Sequence, residues 1–544
     1  MKLLLYLPLV LVCSASGQTL SIDSTVEKLM DSAGVTGLCL GVVRADTVAY
    51  VQAYGYKSTA TRQKNDTATS FYATSFSKAV FAYLVMQLVD EGKLGLDKPL
   101  FTYLPKPIPE YKNYKDLEGD DRWRLITARN CLDHSTGFPN WRQFNPRGNN
   151  KLEIFFTPGE RYAYSGEGLY LLQLVVETIT HRSLEDLARE KIFIPFGMTR
   201  TSYLWQPAFE TDYALGHNVD EVPYPLDKRT KANAAGSMET TIADYTRFMA
   251  AVLQGRGLSA ASQQAMLSPQ IAIHSLHEFP SLDTNTTTAN KAIHLSYGLG
   301  WGLFTTPQGL AFFKEGHGDG WQHYWIAFPR SRSAFVIMTN SDNGESIFQE
   351  LVGKLTGVTL PWVWEGYTPY RATVRLSSSD LRPFAGEYYG KQNAFVSLDS
   401  GGLLRVESVT AGLPPTRLYA AGAHHFFLKV MATDVDFVDG KAVLDDEGEH
   451  YELRKVEEDS LRAFAETYRA GSDHKIIITL ERGRLYAQGT NPADRLPKVV
   501  LHATSENEFF MEGAALKFRF VGGMLVTYAS SAKDVEWKKK SINI

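Results

Sequence analysis

From Ser75 to Asp90 apolar residues recur three and four apart, with Ala79, Val80, Leu84 and Leu88 in phase. That period predicts a buried amphipathic helix, which Gly92 ends. The segment Ile242 to Leu253 repeats the pattern and predicts a second one. Strand-like runs flank this helical region. Residues 37–55 read as two strands of a hairpin, and Gly298 to Phe304, Tyr324 to Phe328 and Ala334 to Thr339 read as three more. Strands at both ends with helices between them predict an α+β fold, in which an antiparallel sheet closed by the N-terminal hairpin packs against helices.

The pattern changes near residues 358–378, where Pro361, Trp362, Trp364, Pro369 and a serine run suggest a linker. Beyond it short alternating strands with Gly/Asp turns occur twice. Leu381-Arg-Pro-Phe384 and Tyr388 are echoed by Leu461-Arg-Ala-Phe464 and Tyr468, Phe426-Phe427 by Phe509-Phe510, and Phe437 by Phe520. Offsets that stay between 80 and 83 residues predict two tandem β-barrel-like modules. The expected division is a signal peptide at 1–17, a domain at 22–357, the linker, and β-modules at 379–457 and 459–542.

A chain of 544 residues suits two or three domains, and 44% hydrophobic with 21% charged residues is ordinary globular composition. A net charge of −4, with no basic run interleaved with aromatics, argues against nucleic acid as a partner. Lys2, the apolar run Leu3 to Cys13 and Ala15-Ser16-Gly17 have the layout of a secretory signal, so the protein is expected to be secreted or periplasmic. The run is too short to span a bilayer, and no later segment could. Cys13 opens a lipoprotein alternative, against which stands the bulky Val12. Cleavage leaves Cys39 and Cys131, both among apolar neighbours and read as buried; an exported compartment permits a bond between them without requiring one. An oligomer is compatible with the sequence.

Three places carry chemistry. Ser75 and Lys78 stand three apart at a helix start, so they share a face. A buried lysine with a lowered pKa can take the proton from a serine and make it a nucleophile. The spacing alone is weak, for it recurs at Ser472–Lys475 and Ser530–Lys533 in turn-rich, strand-like surroundings. Tyr164, in the turn Arg161-Tyr-Ala-Tyr164-Ser165-Gly166, can relay protons if a nearby cation lowers its pKa, although most of 27 tyrosines are simply packed rings. The run Glu315-Gly-His317-Gly318-Asp319-Gly320 precedes a strand, where glycines let a substrate approach and leave N–H groups for an oxyanion. A metal bound by His317 and His323 is disfavoured, because no ligand set of known spacing surrounds them. Neither metal nor cofactor is expected. The motifs G-x-S-x-G and H-E-x-x-H are absent.

Taken in order, Ser75-x-x-Lys78, Tyr164-Ser-Gly and the late His-Gly element resemble the serine β-lactamase-related superfamily, which includes class C β-lactamases, DD-peptidases, D-aminopeptidases and esterases. Further matching landmarks include His134-Ser-Thr-Gly137-Phe-Pro139, Ala235-Gly-Ser-Met-Glu-Thr240 and Tyr297-Gly-Leu-Gly-Trp301. The resemblance covers roughly residues 22–355. It implies a sheet flanked by helices, with an all-helical subregion near residues 95–290 and the cleft between them. It implies Ser75 as nucleophile, Lys78 and Tyr164 as proton carriers, and an oxyanion site from the N–H of Ser75 and one at Asp319 or Gly320.

Two departures stand out. Gly166 occupies the place of an asparagine that helps hold the substrate amide, and the family's lysine-threonine-glycine is expected to be replaced by the element at His317. Its register is open: His317 first with Asp319 third, or Gly316 first with Gly318 third. Both departures argue against efficient β-lactam hydrolysis. The expected substrate is a peptide or amide with D-residues, such as a peptidoglycan fragment. The alternatives are a small ester, a catalytically inactive binder, or a scaffold protein built on the β-modules. The modules resemble the plan of D-aminopeptidases, where such a barrel contributes a loop to the active site.

Overall fold

Ten strands organise the first part of the chain: β1 (Gly37–Arg44), β2 (Thr47–Gly55), β3 (Phe71–Tyr72), β4 (Glu239–Thr240), β5 (Ile271–Ala272), β6 (Ser296–Tyr297), β7 (Gly302–Thr306), β8 (Gly309–Gly318), β9 (Trp321–Phe328) and β10 (Ser333–Thr339). Eight form one sheet in the order β2-β1-β10-β9-β8-β7-β6-β5, and β3 pairs with β4 apart from it. The N-terminal hairpin joins the late strands through antiparallel pairing of β1 with β10. The structure is a computed structural model and describes residues 15–367, 371–446, 448–470, 474–491, 496–512, 516–529 and 535–539. Most of the expected signal peptide, with Cys13, lies outside the described residues, as do Ser472 and Ser530. Among the described residues no helix is long and apolar enough to cross a membrane.

Both faces of the sheet are covered, and β1 is accordingly buried on both from Gly37 to Val43. On one face lies α2 (Phe76–Asp90), with α3 (Ala128–Leu132), α4 (Gly166–Thr180) and the helix Ile242–Leu253. On the other lie α1 (Ala15–Ala33) and the helix Phe348–Thr356. Expected as amphipathic, α2 is buried on every side from Phe76 to Leu88. A helix with almost no polar residues has no face to give to water, and this one runs through the core.

Of the predicted strand over Gly298 to Phe304, residues 298–301 are the turn between β6 and β7, and only residues 302–304 are strand, in β7. The segment 358–367, inside the expected linker, is packed: Trp362, Trp364 and Tyr367 are buried beside Phe348 and Tyr324. Large aromatic rings fill core space that a linker would not offer.

The chain divides between a unit ending at residue 370 and a second beginning at Arg371. The second contains two nine-stranded antiparallel sheets with the same strand order, running between Gly386 and Lys455 and between Thr467 and Lys539. In each, the two strands at the ends of the order are successive in the chain, so the sheet nearly closes into a barrel. The repeated landmarks are equivalent in space. Phe384 stacks on Phe437 at 4.7 Å and Phe464 on Phe520 at 4.3 Å, while Tyr388 and Tyr468 donate to the Phe384 and Phe464 carbonyls. Arg484 of the second barrel meets the buried Glu387 of the first at 2.9 Å.

Candidate active site

Ser75 stands immediately before α2, after Thr74, whose φ of 48° is strained for a β-branched residue. The sharp turn turns the serine toward a cavity of about 510 Å³. One helical turn on, Lys78 Nζ lies 2.8 Å from Ser75 Oγ and donates to the Ala235 carbonyl at 2.5 Å. Burial, and then the charge of Lys314, hold the Lys78 amine well below its usual pKa. A neutral amine has a lone pair for the serine proton.

Tyr164 lines the same cavity, its ring 5.1 Å from Lys78 Nζ. The loop 134–142 holds it there: the Ser165 N–H donates to His134 Nδ1 at 3.1 Å, the Gly166 N–H to Asn140, and the His134 ring lies 4.3 Å from that of Tyr164. Ser165 caps α4 by accepting from the Gly168 N–H. The sequence led to an expectation that a cation would lower the Tyr164 pKa. Burial and the charge of Glu315 instead raise it well above the usual value, so the phenol keeps its proton at neutral pH. A side-chain hydrogen bond with Ser75 pulls the other way without offsetting them.

The strand β8 differs most from expectation. The buried Lys314 places its Nζ 4.5 Å from the centre of the Tyr164 ring and pairs with Glu315. Burial raises the Glu315 pKa, but Lys314 more than offsets it and keeps the carboxyl low. Two residues on, a Cβ at Gly316 would lie 2.3 Å from Thr74 Oγ1, so only glycine lets β8 pass against the turn before Ser75. The lysine-x-glycine at this cleft is therefore Lys314-Glu315-Gly316, and both registers offered from the sequence are corrected. Lysine is retained, not replaced by histidine.

His317 lines the cavity, but its imidazole turns to Glu345 at 3.2 Å. Gly318 and Asp319 line a different cavity, of about 440 Å³. Gly320 is packed against Gly216, and its N–H donates to Asp342 at 2.6 Å. The Gly320 N–H is thereby committed away from Ser75. The strand register shows which N–H groups of β8 are free of β9. Gly318 and Trp321 close a two-residue hairpin, and bonded and non-bonded pairs alternate along an antiparallel ladder. The N–H groups of Glu315 and His317 thus point away from β9. Pairing with β7 ends at Phe313, which leaves that edge open to the cavity.

His323 is apart from His317: its Nε2 lies 2.7 Å from the Tyr72 carbonyl, and its Nδ1 accepts from the Thr339 N–H. Gly166 lies under a ring, for a Cβ there would be 2.4 Å from Trp141. Behind the cleft Glu278 is buried and accepts from Tyr162 at 3.1 Å, and burial with the nearby Glu315 pushes its pKa up to about 8. Lys314, Trp141 and Glu278 were not singled out in the sequence. Lys314 had one signal, a lysine inside the apolar run Leu310-Ala-Phe-Phe-Lys314.

A family model described as Beta-lactamase matches residues 22–352. The chain is 27% identical to penicillin-binding protein 4 of Amycolatopsis lactamdurans, over 59% of this chain and 85% of that protein. It is 21% identical to penicillin-binding protein 4* of Bacillus subtilis strain 168, over 72% and 88%. The fold is similar to that of the octameric penicillin-binding protein homologue from Pyrococcus abyssi, with a TM-score of 0.51 and 18% identity over 81% of this chain and all of that one.

Proposed function

Because the chain belongs to the Beta-lactamase family, we propose that it is a serine hydrolase working through an acyl-enzyme, with an amide of a D-residue peptide as its substrate. Ser75 Oγ attacks the carbonyl carbon while its proton passes to the neutral Lys78 amine. The carbonyl oxygen becomes an anion held by the N–H groups of Ser75 and His317. When the tetrahedral species collapses, the C–N bond breaks and Tyr164 gives its proton to the leaving nitrogen. The Lys78 ammonium then restores the phenol. Water attacks the ester in turn and Lys78 takes its proton; as the C–O bond to Ser75 breaks, Lys78 returns that proton to Ser75 Oγ and the acid product leaves. Lys314, against the Tyr164 ring, supplies positive charge where the oxyanion and a substrate carboxylate would gather.

The observation that carries this reading is the 2.8 Å approach of a buried lysine, held well below its ordinary pKa, to a serine hydroxyl at the mouth of a cavity. A hydrolysis screen tests it. D-amino-acid amides, D-Ala-D-Ala peptides, p-nitrophenyl esters and nitrocefin are offered to the wild type and to Ser75→Ala. Turnover of at least one of the first two classes that disappears in the variant is the expected result; no Ser75-dependent turnover of any of them would sink the reading and favour an inactive binder.

Ester hydrolysis is the second reading, favoured by Gly166, which has no side chain to hold an amide. Export is proposed from the N-terminal sequence and agrees with a cell-wall substrate. Light scattering tests for an oligomer, as the Pyrococcus relative is octameric.

A further inference from the structure

Several polar side chains around the catalytic cavity bond to its own walls. Asn140 Oδ1 accepts from the Gly166 N–H, and Asn233 donates to Tyr170 and accepts from the Ala235 N–H. Arg142 donates twice to Glu167 at 2.9 Å, and Tyr72 donates to the Gly236 carbonyl at 2.6 Å. Aromatic rings are left to line the space, those of Tyr72, Trp141, Tyr164, Tyr170 and Phe279.

Trp141 has the strongest claim among them. Its ring lies tilted against Tyr170 at 5.3 Å and passes over Gly166 so closely that a methyl group there would meet it at 2.4 Å. The corner beside Tyr164 where a side chain at 166 would reach the substrate is filled by indole.

On the hydrolase reading above, we propose that Trp141 is a specificity-determining residue. It gives the acyl side of the substrate a flat apolar platform, so the enzyme selects acyl groups presenting an aliphatic or aromatic face over those presenting an amide. An aromatic face rewards apolar area, and an amide laid on it loses water without gaining a partner. Gly166 is the complementary half of the device, since only glycine leaves the ring its place.

The test uses three p-nitrophenyl esters with one leaving group: acetyl, phenylacetyl and N-acetylglycyl. The wild type is expected to favour phenylacetyl over N-acetylglycyl in kcat/KM by about tenfold or more. Trp141→Ala removes about tenfold of that ratio, and Trp141→Phe keeps most of it. Gly166→Ala must displace the ring and should lower the ratio as Trp141→Ala does, without deleting an aromatic residue. Lys78 Nζ lies 5.5 Å from the Trp141 ring, so all three esters can slow together in a variant, and the ratio is the readout. A ratio unchanged in both Trp141→Ala and Gly166→Ala, with a turning-over wild type, overturns this inference and leaves the hydrolase standing. Absence of Ser75-dependent turnover in the wild type overturns both.

Discussion

In the second unit the buried Glu387 meets Arg484 at 2.9 Å, whereas in the first unit the buried Lys78 hydrogen-bonds two neutral oxygens, those of Ser75 and Ala235. Each unit takes an ionisable side chain out of water, and burial works against the charged form in both. Burial raises the Glu387 carboxyl to about 7 against the pull of Arg484, and the pair joins two barrels of repeated design. Lys78, buried and with Lys314 as its strongest charged neighbour, is held well below its ordinary pKa. A paired charge holds structure together, while an unpaired one becomes a base at a cost in stability.

The contrast can be broken most severely at Lys78. Lys78→Met is expected to lower kcat/KM on any accepted substrate by roughly three orders of magnitude or more, since general base and nucleophile act as a unit. A variant retaining a tenth of wild-type turnover would remove Lys78 from the mechanism. The β8 register gives the next effect. Lys314→Met should cost about a hundredfold in kcat/KM, the scale of one lost charge-stabilising group. His317→Ala should cost less than about tenfold, because the backbone N–H that the register points at the cleft survives. The reverse order would restore histidine to the lysine's role.

In the second unit Arg484→Met leaves Glu387 buried without its cation and should destabilise that unit by about 3–5 kcal/mol, read from denaturant unfolding. Hydrolysis should be unaffected. A parallel fall in turnover would mean that the barrels serve the active site.

The smallest effect is on stability against pH. Lys78 has a folded pKa below its unfolded one, so the unfolded chain binds the extra proton between those two values. Stability conferred at this site therefore rises with pH across that window. Lys78→Met removes the dependence and should raise Tm by roughly 5 °C at neutral pH, with the gain shrinking toward pH 10. A gain that is constant from pH 6 to 10 would mean the amine is charged when folded.

Features carried by neighbouring residues could be read from the chain alone. Ser75 and Lys78 lie within one turn of one helix, and the Tyr164 turn announces itself by glycine and a capping serine. The barrel repeat is written as aromatic positions offset by 80 to 83 residues, and those rings do stack equivalently. What could not be read depends on distant segments meeting. Which residue of β8 reaches Tyr164 is set by pairing with β9, and a shift of one residue exchanges the faces of the strand. The aromatic run at 362–367 resembled a linker because prolines and glycines flank it, and its core neighbours come from elsewhere in the chain. Trp141 over Gly166 is a contact between a loop and the first residue of α4, invisible in either one.

Labelling with a fluorophosphonate, followed by mass spectrometry of the digested protein, tests the central claim most directly. One adduct, on the peptide containing Ser75 and absent from Lys78→Met at neutral pH, is the predicted result. A folded wild type that takes no label, or that carries it on another side chain, would contradict the account.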